Sequence, residues 1–149
     1  MEIGDLMKKS QAELDDLFKK SPPGPIPEGN AAGSAIVWPG TFWSRLIARF
    51  VHDFAWQGKV FTKNPDGKSA TLENKITTAG VRAILARVYF TASWLDQKEC
   101  IVLDYSKTSL LARKIRDEIR LVDAANRIYL GKVWWGQSRL IDFALQFPK

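Results

Sequence analysis

The 149-residue chain reads as a mainly β protein, with about eight antiparallel strands closing into a barrel and two short helices near the N-terminus. Three observations lead there. Short runs rich in β-branched and aromatic residues recur along most of the chain, separated by turn residues. Helical spacing of apolar residues occurs only near the start. Strands and helices do not alternate, so a parallel sheet with crossover helices is not expected. With 46% hydrophobic and 11% aromatic residues, including six Trp and eight Phe, the chain can build one core, and residues 1–149 are taken as a single domain.

Residues 1–20 hold the first helix. Ser10 and Glu13 form a capping box, in which the Ser hydroxyl accepts a free backbone N–H and the Glu reaches back. Leu14, Leu17 and Phe18 then fall on the buried side. Residues 21–32 are rich in Pro and Gly; prolines lack the N–H that a helix or central strand needs, so this stretch is an extended connector. The barrel is expected over 33–149. Residues 33–38 form a first short strand. Pro39 and Gly40 break it, and Thr41 caps a helix over 41–54. There Trp43, Leu46, Ile47, Phe50 and Phe54 lie opposite Arg45, Arg49 and Asp53. Further strands are expected at 55–61, 69–76, 81–90, 98–105, 115–122, 127–135 and 140–147. Residues 64–67 and 95–97 have turn chemistry. Residues 106–114 read as a loop with one helical turn.

The last three strands can be set in register. A turn at 123–126 pairs Leu121 with Ile128, Ile119 with Leu130 and Asp117 with Lys132. A turn at Gln137 and Ser138 pairs Trp134 with Ile141, Lys132 with Phe143 and Leu130 with Leu145. One face then carries Ile119, Leu121, Ile128, Leu130, Trp134, Ile141, Phe143, Leu145 and Phe147, interrupted by an Asp117–Lys132 pair. The other carries Arg116, Glu118, Arg120, Tyr129, Gly131, Val133, Trp135, Asp142, Ala144 and Gln146. This second face is either the outer wall in water or a cavity wall. In the latter case Gly131 and Ala144 leave space, and Arg116 and Arg120 hold an anionic headgroup. The burial of Trp135 separates the two.

Several chemistries find no support. Neither a G-x-G-x-x-G nor a G-x-x-x-x-G-K-[ST] loop is present, nor a G-x-S-x-G elbow. His52 is the only histidine and Cys100 the only cysteine, which leaves no zinc set, no internal disulfide and no metal or cofactor expected. Cys100, on a β-branched strand, reads as a small core residue. The net charge of +6, from 22 Lys and Arg against 16 Asp and Glu, favours anionic partners, but the basic residues are scattered among acids. Nucleic-acid stacking would need aromatics interleaved with Arg on one open face. Only Arg116, Arg120, Tyr129 and Trp135 approximate that. No run of 18 apolar residues and no secretory signal are found, so a cytoplasmic protein is expected, with at most transient contact with a membrane surface.

Trp56, Gly58, Lys59 and Phe61 form W-x-G-K-x-F. Asp117 and Arg120, with Ile119 between them, follow D-x-F-R with Ile for Phe, and Leu130–Gly131 supply a later L-G. In this order, after the Leu17–Phe18 and proline-rich opening, the chain resembles a bacterial group named for a G-x-W-x-G motif, joined to a domain of unknown function. Of the naming motif Gly33 is kept, while Ala35 stands where Trp is expected. The resemblance implies a lipocalin-like barrel that binds a hydrophobic ligand, with no established chemistry.

The expected function is therefore binding of a small hydrophobic or amphipathic, lipid-like molecule, anionic or uncharged, inside the barrel. Trp134, Phe143 and Leu130 would hold its apolar body, with Trp56 and Trp135 nearby. Lys59, Arg116, Arg120 and Lys132 with Asp117 would meet the polar end. The alternative is a cofactor-independent isomerase, cyclase or hydrolase using Asp117 and Tyr105 as acid–base groups. A third reading is a nucleic-acid or protein interaction module.

Overall fold

The computed structural model describes residues 1–36, 59–75, 82–107 and 112–149. The expected helix over 41–54, with His52, lies outside these residues, as does Trp56. Two short helices come first, α1 (Ile3–Met7) and α2 (Gln11–Lys20). The capping box opens α2: Glu13 donates its backbone N–H to Ser10 Oγ at 3.3 Å, and Ser10 N donates to Glu13 Oε2 at 2.8 Å. Leu14 and Phe18 are fully buried, as their spacing requires. The sequence reading did not anticipate α1.

Eight strands follow: β1 (Gly29–Ile36), β2 (Lys59–Lys63), β3 (Ser69–Lys75), β4 (Arg82–Ala92), β5 (Glu99–Asp104), β6 (Ile115–Asp123), β7 (Ile128–Trp135) and β8 (Ser138–Gln146). Each pairs antiparallel with the next, and β8 returns to β1, so the barrel closes and no edge remains. A 3-10 turn at Ala112–Lys114 precedes β6. The first strand begins at Gly29, within the stretch expected to be connector. Gly, Asn, Ala and Ser are poor strand formers; here they pair because β2 and β8 flank them.

In such an up-and-down order the connections alternate between the two ends. The β2–β3, β4–β5 and β6–β7 turns share one end, the floor. The β1–β2, β3–β4, β5–β6 and β7–β8 connections share the other, the rim. The proline-rich connector crosses the floor. Leu121 N donates to Pro22 O at 3.0 Å, and the Tyr129 hydroxyl donates to Pro25 O at 2.7 Å. Gly24 makes this crossing with φ +72°, and a Cβ there would meet Leu121 Cβ at 2.6 Å, so both backbone angle and space demand glycine. Ile26 joins the interior cluster. There Phe147 meets Phe61 edge-on at 5.3 Å and Tyr129 at 5.6 Å.

The register of the last strands is one residue away from the sequence expectation. Gly131, not Lys132, lies opposite Phe143, and Glu118, not Asp117, lies opposite Lys132. The ladder shifts between Leu121 and Asp123, and Trp135 pairs with Ser138 around Gly136 (φ +58°) and Gln137. The faces of β6 and β8 are as expected, but β7 is reversed. Tyr129 and Val133 belong to the interior cluster with Trp135 packed on it, while Ile128 and Leu130 face outward beneath α1 and α2. The physical reason is that β7 is buried on both sides from Ile128 to Trp134. Its apolar pattern therefore does not say which side is in.

The core thus has two layers. One fills the barrel. The other lies outside it, where Leu6, Leu14 and Phe18 cover Cys100, Ile128, Leu130 and Ala144. Burying a side chain the size of Leu14 or Phe18 is worth about 1.5–3 kcal/mol each, which holds the helices on the wall.

Candidate functional site

Three polar side chains meet inside the rim half of the barrel. Lys59 opens β2, Tyr105 follows β5, and Asp117 lies on β6 opposite Leu103. Alternation places Lys59 on the same side as Phe61, Tyr105 with Leu103, and Asp117 with Ile115 and Ile119, all interior residues. Lys59 Nζ donates to the Tyr105 hydroxyl at 2.9 Å and to Asp117 Oδ2 at 3.4 Å. Tyr105 donates to the same Oδ2 at 3.2 Å. The ammonium also sits 5.5 Å from the centre of the Phe143 ring and 5.6 Å from that of Tyr105.

All three residues are buried, Asp117 to 4% exposure and Lys59 to 8%. Burial opposes the Lys59 charge, but Tyr105 and Asp117 outweigh it and raise its pKa above the ordinary lysine value. Burial is the largest influence on Asp117 and raises its carboxyl above the usual range, although Lys59 and Tyr105 pull the other way. Among the described residues one atom of the group has no partner: Asp117 Oδ1 is buried and accepts no hydrogen bond. Leaving such an acceptor unserved costs about 1–3 kcal/mol, more when it is charged.

Of the residues expected to form the site, Lys59, Tyr105, Asp117, Phe143 and Trp135 lie on the inside of the wall. Arg116, Arg120, Leu130, Lys132 and Trp134 lie on the outside, so the Asp117–Lys132 pair does not exist and Trp134, Phe143 and Leu130 share no face. Lys132 is fully buried beneath α2, donating to Asp15 Oδ1 at 2.7 Å and Asp142 Oδ2 at 2.8 Å. Arg139 donates to the same two carboxylates, completing a group of two cations and two anions. Within it burial lowers the Lys132 pKa and raises that of Asp142, each against the pull of its partners. This group fastens α2 to the barrel.

Arg120 is likewise structural. Its guanidinium makes a bidentate pair with Asp96, both at 2.8 Å, and donates to Glu99 O at 3.0 Å, Phe18 O at 3.0 Å and Lys98 O at 2.9 Å. That uses all five N–H donors of an arginine. It clamps the end of α2, the β4–β5 turn and β6 together. Arg116, half-buried, donates to Glu118 Oε1 at 2.9 Å and Ala92 O at 2.8 Å, and stacks 4.5 Å from the exposed Trp94. Trp94 meets Trp134 edge-on at 5.8 Å. The four residues considered for nucleic-acid stacking are therefore divided: Arg116 and Arg120 outside, Tyr129 and Trp135 inside.

The sequence reading set Asp117 with Tyr105 as acid–base groups and with Lys59 at the polar end, but did not join all three in one group. The signal was available in alternation: each sits two residues from an apolar interior neighbour. It missed Asp15, Asp96 and Arg139, which sit in an exposed-looking helix, a turn and a strand start. Cys100 is a buried core thiol, as expected, its pKa pushed up to about 12 by burial. Among the described residues, no three His, Cys, Asp or Glu side chains gather as metal ligands, and no helix is long and apolar enough to cross a membrane. Comparison with protein-family models, curated proteins and solved structures finds no match to this chain.

Proposed function

We propose that the barrel binds a small hydrophobic or amphipathic molecule in its rim half, with the polar end at Lys59, Tyr105 and Asp117. The observation that carries this reading is the buried Asp117 Oδ1 without a partner inside an otherwise apolar barrel. Buried polar groups in a finished core are almost always paired, so an orphan there marks a place for something else. An eight-stranded barrel is either filled by side chains or holds one small ligand, and the unpartnered oxygen favours the second. Ile26 and the aromatics pack the floor, so the polar group lies in the opposite half of the barrel. The likeness to lipocalin-like barrels of the G-x-W-x-G group is part of the same proposal, as is a cytoplasmic setting, which the lone reduced thiol favours. Native mass spectrometry of the purified protein tests the reading: a mass adduct released by mild activation supports it. An apo mass, together with tryptophan fluorescence that no amphipathic probe changes, rejects it.

A second reading follows from the raised pKa of Asp117. A carboxyl whose pKa burial raises, set beside a lysine and a tyrosine, can take a proton from a bound carbonyl compound and return it, as a cofactor-independent isomerase requires. Turnover with a pH profile that disappears in Asp117→Asn, while ligand binding persists, would favour this enzyme over a carrier.

A further inference from the structure

The two oxygens of Asp117 differ, and the difference selects a headgroup. Lys59 and Tyr105 both direct their donors at Oδ2, whereas Oδ1, equally buried, receives none. The Lys59 charge is already balanced by Asp117. Among the described residues, the other cations near this part of the wall lie on its outer side: Arg116 with Glu118, Arg120 with Asp96, and Lys132 and Arg139 sharing Asp15 and Asp142. A carboxylate entering the barrel would therefore meet a neutral group whose unserved atom is itself an acceptor. It would lose its hydration without gaining a free cation from the described residues.

A hydroxyl meets the opposite situation. It can donate to Oδ1, and its oxygen can accept from Lys59, whose ammonium has three donors and makes two hydrogen bonds to the described residues. We propose that the site takes an apolar molecule bearing a neutral hydrogen-bond donor, an alcohol or phenol hydroxyl, in preference to a carboxylate. Of the anionic and uncharged ligands left open by the sequence this selects the uncharged, and it rests on the reading of the barrel as a binding site. The hydroxyl oxygen would replace the missing partner of Oδ1, and the chain or ring would lie against Phe143 and its interior neighbours.

The test compares three probes of equal chain length on the full chain by calorimetry at pH 8: 1-octanol, its methyl ether and octanoate. The alcohol is expected to bind about tenfold tighter than the ether, which accepts but cannot donate, and tighter than octanoate. In Asp117→Asn the negative charge is gone and Lys59 is left unbalanced, so octanoate should overtake octanol. That gain of affinity cannot come from a misfolded chain. If the variant does not fold, the wild-type order alone decides. Ether binding as tightly as alcohol, or octanoate binding tightest to the wild type, overturns the donor assignment while leaving the binding site standing. Absence of binding by all three overturns the site and the assignment together.

Discussion

Gly131 shows how a single residue decides what fits inside the barrel. A Cβ at this position would lie 2.2–2.6 Å from three atoms of the Phe143 ring. Gly131→Ala should therefore lower stability by about 1–3 kcal/mol, read from the shift in urea midpoint. Shrinking the ring in Gly131→Ala/Phe143→Leu should recover part of the loss. Equal losses in the single and double variants would show that the clash is not the cause. Lys59 tests the polar group in the same way. Removing one partner of a buried pair costs about 3–5 kcal/mol. In Lys59→Met, Asp117 keeps only Tyr105, and its raised pKa must rise further. A raised carboxyl gives stability that is present at low pH and lost as pH rises through the folded value. The penalty of Lys59→Met should accordingly be larger at pH 8 than at pH 4. A penalty independent of pH would mean that Asp117 does not carry the charge.

At the scale of elements, ion pairs join parts that the chain leaves far apart. Arg120 connects α2, the β4–β5 turn and β6, and its hydrogen bonds lower the Asp96 pKa. The sign here is opposite to that for Asp117. A lowered carboxyl contributes stability above its unfolded pKa and loses it as pH falls through the folded value. Acid titration of stability should thus show a descending step below the ordinary carboxylate range in the wild type, made smaller in Asp96→Asn, while the other lowered carboxylates such as Asp15 and Asp104 keep theirs. The group of Asp15, Lys132, Arg139 and Asp142 acts similarly on the middle of α2. Asp15→Asn should speed amide hydrogen exchange in α2 and leave the protection of β5 and β6 unchanged. Faster exchange throughout the barrel would show instead that helix and wall open as one unit.

For the whole molecule, the outer layer is what makes a both-sides-buried β7 tolerable. The wall of β5–β8 carries Cys100, Ile128, Leu130 and Ala144 outward, and these stay dry only while α1 and α2 remain in place. Cys100 reports this directly, being fully buried with its pKa near 12. In the folded protein a disulfide reagent should not label it at pH 8. Leu14→Asp, which puts a charge into that cluster, should let labelling proceed at a rate set by helix undocking. Rapid labelling of the wild type would place Cys100 in a mobile rather than a packed layer.

The sequence by itself determined the strand count, the antiparallel order, the capped helix α2 and the buried thiol. These follow from local physics: β-branched runs, turn residues, a Ser-x-x-Glu cap and short connections. It also determined the faces of β6 and β8, because their alternation is clear. Only the tertiary structure decided β7 and the site. A strand buried on both sides has no polar side to set its register, and the one-residue shift near Val122 moved every β7 side chain to the opposite face. Lys132 thereby left the barrel and became a fastening for α2. Asp117 instead met Lys59 and Tyr105, from strands that approach only when the barrel closes. The start of β1, built of Gly, Ala, Asn and Ser, was hidden for a related reason: it is a strand because two neighbours hold it, not because its residues prefer to be one.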